Sequence, residues 1–268
     1  MKIYEAQFAE AAAGLEAYAD FVAIVRQLRR DCPWDREQTH ASIKHLLIEE
    51  AYETVEAIDE EDWQGLKKEL GDLLLHVVFH SVIAEQGERF ELQEVIEAES
   101  EKLIRRHPHV FGEVAVGGVD EVLTNWEQIK LKEGEKKSVL GGVPKQLPAL
   151  LRAHRIQEKA AGVGFDFPNK EGAWEKVEEE IREFHHLAET QTDPDALEAE
   201  FGDVLFALVN YARFAGVTPE NALRRTNDKF VRRFQHIERR LAEQGQSVAD
   251  VDLAEMDHFW DEAKDFGL

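Results

Sequence analysis

Residues 48–53 read Ile-Glu-Glu-Ala-Tyr-Glu, and a related run, Glu-Glu-Glu-Ile-Arg-Glu, occupies residues 178–183. In the same way, Glu-Leu-Gly-Asp at residues 69–72 is matched by Glu-Phe-Gly-Asp at residues 200–203. Both pairs are separated by about 130 positions, and regular self-similarity of this kind indicates an internal duplication. The chain of 268 residues is therefore predicted to contain two homologous domains.

Two further blocks recur in the same order and support the duplication. Lys-Leu-Ile-Arg-Arg at residues 102–106 corresponds to Lys-Phe-Val-Arg-Arg at residues 229–233, and the pattern that begins at Trp126 returns at Trp260. Glycine and proline concentrate between the copies, as expected for turns at a domain junction. The predicted organisation is an N-terminal repeat over residues 1–130, with an appended helix at 1–17, a linker region over 131–164 and a C-terminal repeat over 165–268.

Each repeat is predicted to be a bundle of α-helices. Residues of high helix propensity dominate, and no segment alternates between apolar and polar residues with the period of a strand. Helix-start signals stand at Pro194 and Pro219, and helix-stop signals at Gly87 and Gly216. The predicted fold class is all-α, in two tandem helical bundles. The predicted helices cover residues 17–30, 43–58, 63–86, 92–106, 170–189, 195–215 and 219–244, a piece around Trp260 and a short segment at 125–132.

The composition excludes several classes of protein. The chain carries 55 acidic and 32 basic residues, a formal net charge of −23, which disfavours binding to a nucleic acid polymer. The single cysteine, Cys32, excludes a disulfide framework and a cysteine-rich zinc site. No apolar run is long enough to span a membrane, and the acidic N-terminus is unlike a signal peptide, so we expect a cytoplasmic protein without a membrane partner.

The repeated carboxylates are candidates for a metal site. On a helix, Glu50 and Glu53 lie about 60° apart, as do Glu69 and Asp72. Carboxylates gathered at the edge of a core repel one another and lose solvation, so cations stabilise such a cluster. Oxygen ligands of this kind suit Mg²⁺ or Mn²⁺. The residues alone leave one alternative open, which is an ordinary solvated acidic face.

The second repeat has the same geometry. There Glu179, Glu180 and Glu183 are predicted to face Glu200 and Asp203. In both repeats an apolar stripe is expected to place these carboxylates beside the core rather than in open solvent. The two stripes are Leu70, Leu73, Leu74, Val77 and Val78, and Phe201, Val204, Leu205, Leu208 and Val209.

Two basic clusters stand out in this acidic chain. Lys229, Arg232 and Arg233 have the spacing of one helix face, as do Lys102, Arg105 and Arg106. Arginine matches phosphate oxygens with two parallel hydrogen bonds, so a metal site combined with such a cluster suits a polyphosphate ester. Ion pairing with the glutamate-rich helices is the alternative. Trp126 and Trp260 are candidates for stacking on a base, although a tryptophan on a helix more often packs in a core.

Other catalytic patterns receive little support. The chain lacks the glycine-rich phosphate loop of P-loop NTPases. Three Glu-x-x-His spacings occur, but only the one at Glu183 lies beside a carboxylate cluster, so a di-iron bundle is disfavoured. Cys32 has no base arranged beside it in the sequence and is expected to pack rather than react.

The ordered motifs resemble the all-α nucleoside triphosphate pyrophosphohydrolases of the MazG type, from about residue 22 to residue 264. In the first repeat the resemblance rests on Cys-Pro-Trp-Asp-Arg-Glu-Gln-Thr at residues 32–39, the Glu-Leu-Gly-Asp block at 69–72 and Arg-Arg-His-Pro-His-Val-Phe at 105–111. In the second repeat it rests on Val-Gly-Phe-Asp at 163–166 and Asn-Asp-Lys-Phe at 227–230.

The resemblance implies a homodimer that hydrolyses nucleoside triphosphates to the monophosphate and pyrophosphate with Mg²⁺, for which Mn²⁺ can substitute. It implies metal ligands in the second repeat, which is expected to be the main catalytic unit, at Glu180, Glu183, Glu200 and Asp203. The corresponding carboxylates of the first repeat form a second candidate metal site at Glu50, Glu53, Glu69 and Asp72. The implied nucleotide-binding residues are Lys176, Val177, Glu178, Glu179, Glu180, Lys229, Phe230, Val231, Arg232, Arg233 and Trp260.

Glu179 is our candidate for orienting or deprotonating the attacking water, because it is the one motif carboxylate not assigned to metal. Two alternative functions remain at this point. One is a pyrophosphatase with narrow preference for a deoxynucleotide, and the other is a non-catalytic acidic helical module that binds another protein.

Overall fold

The computed structural model describes residues 8–119, 121–122, 125–126, 129, 138–190 and 193–268, with side chains from Gly14 onward. These residues form helices and turns, with no strand among them, and the all-α prediction is confirmed. The chain divides into two compact units, residues 1–117 and residues 118–268. This division falls earlier than the boundary at residue 130 that the sequence suggests. None of the described helices has the length and apolar character that crossing a membrane requires.

The first unit is built on a helical hairpin. Helix α3 (His40–Asp59) and helix α4 (Trp63–Gln86) are joined by residues 60–62 and pack along each other. Helices α1 (Phe8–Asp31) and α5 (Leu92–Arg106) pack on α4. Two caps fix the ends of the hairpin: Thr39 and Ser42 form a capping box at the start of α3, and the Asp62 carboxylate caps α4. The helices are α1 (Phe8–Asp31), α2 (Pro33–Glu37), α3 (His40–Asp59), α4 (Trp63–Gln86), α5 (Leu92–Arg106) and α6 (Pro108–Phe111).

Most of the predicted helices of this unit are confirmed, and α4 and α5 have the predicted bounds. The N-terminal prediction differs from the structure, because one continuous helix from Phe8 to Asp31 replaces an appended helix followed by a second one. Residues 8–31 contain no proline and only one glycine, Gly14, so nothing in the sequence interrupts the helix there. Residues 1–7, and most of the short helix expected at 125–132, lie outside the described residues.

Arg29 connects three parts of the first unit from a buried position. Its guanidinium donates to the main-chain oxygens of Asp35, Arg36 and Gln38, the last two at 3.2 and 3.0 Å, and to Gln86 Oε1 at 2.6 Å. It thereby ties the end of α1 to the Cys-Pro-Trp-Asp segment and to the end of α4. A charged donor is well suited to this role, because one side chain satisfies several carbonyls that would otherwise be left without partners.

Replacing Arg29 with alanine should lower the free energy of unfolding by about 3 kcal/mol, because it removes a buried charge-assisted network and leaves carbonyl acceptors unsatisfied. Urea titration followed by circular dichroism measures the change. Arg30→Ala is the matched control, since Arg30 is exposed and, among the described residues, bonds only to Gln27 on its own helix. Equal stability of the two variants would contradict this role for Arg29.

The second unit repeats the hairpin and adds a helix on each side. Helices α8 and α9 form the hairpin, α7 packs on both α9 and α10, and α11 packs on α10. Asp193 caps the start of α9, and Gly216 follows its end with φ of +69°, a conformation that favours glycine. The helices are α7 (Ala149–Ala161), α8 (Lys170–Thr190), α9 (Pro194–Phe214), α10 (Pro219–Glu243) and α11 (Leu253–Asp265).

Helix α7 lies within residues 131–164, which the sequence analysis treats as a linker region. It instead forms part of the second unit, where buried Gln157 donates from Nε2 to the main-chain oxygen of Phe206 on α9 at 2.7 Å. Glu220 on α10 accepts a hydrogen bond from the main-chain nitrogen of Leu151. Helix α7 therefore bridges the acidic hairpin and the basic helix of the second unit.

The apolar stripes predicted to face the core are only partly buried. Val78, Val204 and Val209 are buried, but six other members of the two stripes are 39% to 52% exposed. The physical reason is that each hairpin is covered on one side only within its own unit. The six exposed members are Leu70, Leu74 and Val77 on α4 and Phe201, Leu205 and Leu208 on α9.

Candidate metal and nucleotide site

Three predicted metal ligands of the second unit converge. Glu180 and Glu183 on α8 and Glu200 on α9 each place a carboxylate oxygen within 4.8 Å of the others. Glu180 is buried, Glu200 is half-buried and Glu183 is exposed, so the cluster opens from the hairpin toward solvent. Asp203, the fourth predicted ligand, is exposed one turn beyond Glu200 and does not belong to the converging group.

Lys176 places a positive charge beside this cluster. Its Nζ lies 2.7 Å from Glu180 Oε1 and 2.8 Å from Glu179 Oε1. Hydrogen bonds to these two carboxylates raise the pKa of Lys176 above its usual value, so the ammonium remains charged. The same hydrogen bond and the charge of Lys176 lower the pKa of Glu179. Glu179 is therefore ionised and exposed, and it stands beside the cluster rather than inside it.

The first unit contains a matching cluster. Glu50 on α3 and Glu69 and Asp72 on α4 bring carboxylate oxygens within 4.8 Å of one another, while Glu53 lies outside this group. Glu69 is 7% exposed, and its Oε2 is buried without a hydrogen-bond partner among the residues that the structure describes. A buried carboxylate oxygen without a partner is costly, and a cation bound to the cluster would satisfy it. The donor set, all carboxylate oxygens, suits a hard divalent ion such as Mg²⁺.

Burial and nearby negative charges both disfavour the ionised form of Glu50. Burial raises the pKa of Glu50, and the neighbouring charges of Asp72, Glu53 and Glu69 raise it further. Lys68 partly offsets the repulsion, because its Nζ lies 2.9 Å from Glu69 Oε1 and 3.9 Å from Asp72 Oδ2. Lys68 was not predicted as a site residue, although the sequence places it directly before Glu69.

The basic helix of the second unit presents cations to solvent. Lys229 and Arg232 are exposed and make no hydrogen bond or ion pair with any residue that the structure describes. Arg233 donates from Nε to the main-chain oxygen of Leu268 at 2.7 Å, and its guanidinium lies 5.4 Å from the Trp260 ring centroid. Phe230 contacts the same tryptophan at 5.2 Å. Of the predicted nucleotide-binding residues on these two helices, the structure therefore brings Phe230, Arg233 and Trp260 into contact.

Three other predicted positions have different surroundings. Val177 is fully buried, so its side chain packs in the core of the unit and presents no surface to a ligand. Glu178 is exposed and accepts a hydrogen bond from Trp174 Nε1 at 3.1 Å. Val231 is exposed on α10. Gln157 was not predicted from the sequence; its helix packs on both the acidic hairpin and α10.

Two helical units that each gather carboxylates on a hairpin define a class of all-α proteins with a duplicated acidic hairpin. Comparison with known proteins agrees with this class. The model of the MazG nucleotide pyrophosphohydrolase domain matches the chain twice, at residues 38–111 and 169–238. Both matches include the acidic hairpin of the corresponding unit.

Three relatives extend the match over most of the chain. The nucleoside triphosphate pyrophosphohydrolase/pyrophosphatase MazG of Thermotoga maritima is 46% identical over 251 residues, which cover 92% of this chain and 95% of that protein. The nucleoside triphosphate pyrophosphohydrolase of Escherichia coli K12 is 44% identical over 91% of this chain and 95% of its own length. The uncharacterised protein YabN of Bacillus subtilis is 50% identical over 92% of this chain and 52% of its own length. The chain belongs to the MazG family, and the resemblance identified from its motifs is confirmed.

Replacing Glu50 with glutamine should raise the melting temperature of the chelator-treated protein by a few degrees at neutral pH. The raised pKa means that the folded state binds the Glu50 proton more readily than the unfolded state, so ionisation lowers stability as pH rises through that pKa. The gain should shrink as the pH is lowered and the wild-type carboxyl becomes protonated.

Differential scanning calorimetry at neutral and mildly acidic pH measures this difference. Glu56→Gln is the matched control, because Glu56 is an exposed carboxylate on the same helix outside the cluster. A loss of stability in Glu50→Gln at neutral pH, with no change in the control, would contradict the view that burial and neighbouring charges make the ionised Glu50 carboxylate unfavourable.

Proposed function

We propose that this MazG-family protein hydrolyses nucleoside triphosphates to the nucleoside monophosphate and pyrophosphate, with water attacking the α-phosphorus. The observation that carries the proposal is the convergence of Glu180, Glu183 and Glu200 in the unit that also contains the unpaired cations of α10. The names of the relatives from Thermotoga maritima and Escherichia coli support the same reaction class.

Glu180, Glu183 and Glu200 would hold magnesium, with Asp203 joining from the next turn of α9. Divalent magnesium would supply positive charge to the phosphate oxygens of the substrate, and manganese offers the same coordination chemistry. The triphosphate chain would then lie against the open side of the hairpin, where Glu183 is exposed. Within the first unit, Glu50, Glu53, Glu69 and Asp72 are proposed as a second metal site of the same type.

The residues of α10 and α11 are proposed to bind the rest of the nucleotide. Lys229, Arg232 and Arg233 would neutralise the negative charge that develops on pyrophosphate as it leaves. Trp260 would offer a ring face to the base, while Phe230 supports it from one side at 5.2 Å between ring centroids. The cation–aromatic contact with Arg233 fixes the guanidinium beside the same ring.

Glu179 is proposed to accept the proton of the attacking water, and Lys176 controls when it does so. In the free protein the ammonium of Lys176 holds the pKa of Glu179 low, which makes the carboxylate a weak base. A triphosphate that binds Lys176 would draw the ammonium away from Glu179. The basicity of Glu179 would then rise when substrate is in place, which couples proton transfer to binding.

Product analysis tests the reaction class. The purified chain with ATP and Mg²⁺ should release AMP and pyrophosphate in equal amounts, and a chelator should stop the reaction. ADP and orthophosphate as products would contradict attack at the α-phosphorus. Repeating the assay with the four deoxynucleoside triphosphates distinguishes a broad enzyme from one with a narrow base preference.

Glu200→Gln should reduce kcat by about 100-fold or more, because it removes one charged ligand from the proposed metal site of the second unit. Glu198→Gln is the matched control on the same helix, since Glu198 is exposed and lies outside the cluster. Asp72→Asn separates the two repeats and should leave most of the activity if the second unit is the main catalytic unit. Full activity of Glu200→Gln, or loss of activity only in Asp72→Asn, would transfer the assignment to the first unit.

We also propose that the protein is a homodimer. The six stripe residues exposed on α4 and α9 form rows of large apolar side chains at helical spacing, which single chains in water rarely leave uncovered. A second copy of the chain offers the same rows and can cover them by the same helix packing that forms each hairpin. Pairing would bury these side chains without altering the acidic clusters' own ligands.

The double substitution Phe201→Asp and Leu205→Asp should shift the protein from dimer to monomer, because it places two like charges in the proposed contact. Light scattering coupled to size-exclusion chromatography reads the mass directly. Leu253→Asp is the control, since Leu253 is 69% exposed at the start of α11 and outside the stripes. A wild-type mass near 30.7 kDa would overturn the dimer proposal at once.

A further inference from the structure

We propose that Lys68 is a built-in counter-cation that sets the metal affinity of the first unit, because a divalent ion must share or displace its contacts to bind there. The inference rests on the metal role proposed above for the acidic clusters. It assigns to Lys68 a function that the neighbouring Lys67, one position earlier on the same helix, does not have.

The contacts of Lys68 coincide with the ligands that a metal would use. Its Nζ reaches Glu69 Oε1 at 2.9 Å and Asp72 Oδ2 at 3.9 Å, and these two residues are two of the three that converge in the first unit. The side chain of Lys68 is 68% exposed, so the ammonium reaches the cluster from the solvent side and can withdraw without disturbing the core. Lys67 is exposed and makes no ion pair among the described residues.

The ammonium satisfies the cluster incompletely. Glu69 is only 7% exposed, and its Oε1 accepts a hydrogen bond from Lys68. Its Oε2 is buried and has no hydrogen-bond partner among the described residues. One carboxylate oxygen is thus neutralised and the other is left for a further cation. The cluster therefore has two competing states, one closed by Lys68 and one completed by a metal ion.

The second unit has no lysine at the position that corresponds to Lys68. Glu69 aligns with Glu200, so Lys68 aligns with Ala199, which contributes no charge. The lysine of the second unit, Lys176, comes from α8 instead, and among the three converging residues it contacts only Glu180. The two clusters share their carboxylates but differ in how many of them an ammonium already occupies.

Removing Lys68 should therefore tighten metal binding in the first unit. An ammonium about 4 Å from a divalent ion repels it appreciably even at the dielectric constant of water. Exposure of the lysine reduces this effect by letting the ammonium move away. We expect Lys68→Ala to lower the Kd for Mn²⁺ at this site by about tenfold, with Lys67→Ala within about twofold of the parent.

The experiment uses the full chain with Glu200→Gln and Asp203→Asn, which disable the second cluster. Mn²⁺ is titrated into this parent and into its Lys68→Ala, Lys68→Gln and Lys67→Ala derivatives, and free Mn²⁺ is measured by its electron paramagnetic resonance signal. Tighter binding in both Lys68 variants, abolished when Glu69→Gln is added, is the expected result. Lys68→Gln keeps the length of the side chain and guards against a folding defect in the alanine variant.

Equal affinities of the Lys68 and Lys67 variants, or no Mn²⁺ binding in any of them, would overturn the proposal. Gain of affinity that survives Glu69→Gln would also overturn it, because the ion would then lie elsewhere. The reciprocal substitution, Ala199→Lys in the otherwise unmodified chain, should weaken Mn²⁺ binding at the second cluster by about tenfold. The readout is metal binding alone, so failure here is distinguishable from a failure of the proposed reaction, which shows as absence of AMP and pyrophosphate.

Discussion

Mutual repulsion among carboxylates that a helical hairpin holds within 4.8 Å of one another is the constraint on which the rest of this structure depends. Capped helix ends and a three-residue turn fix the hairpin of the first unit, so the backbone keeps Glu50, Glu69 and Asp72 on two helices that pack against each other. The protein lowers the electrostatic cost with a lysine at each cluster. Neither lysine satisfies all three carboxylates, and the remaining negative charge is what the proposed divalent ion would neutralise.

The second unit assigns separate tasks to separate helices. The hairpin of α8 and α9 supplies the carboxylates, α10 supplies the cations, and α7 contacts both. The hydrogen bond from Gln157 to Phe206 lets a polar residue sit at a buried helix–helix contact, and it fixes where α7 meets the acidic hairpin. Positioning of acidic and basic groups thus depends on a helix that has no charged ligand of its own among the converging residues.

Sequence patterns predicted the parts of the structure that local spacing determines. The carboxylates at i, i+3 on one helix and the pairing of Glu180 with Glu200 follow from helix geometry and from the duplication, and both appear in the structure. The helix Ala149–Ala161 was not predicted, because its glycine- and proline-rich surroundings suggested a linker. In the structure this helix packs on α9 and α10. Helical periodicity identified the stripe residues as one apolar face but could not show which part of that face is covered by another helix. Leu70 and Phe201, which were expected to face the core, are exposed.

Duplication also gives the chain two uncovered apolar rows, one on α4 and one on α9. In assembly terms its valence is two. A closed dimer forms only when both rows of one copy are satisfied by the same partner; rows shared between different partners would generate open chains of unlimited length. A charge gained in one row alone would leave each copy a single row for pairing, so growth would stop at two chains, whereas filaments require both rows to stay apolar.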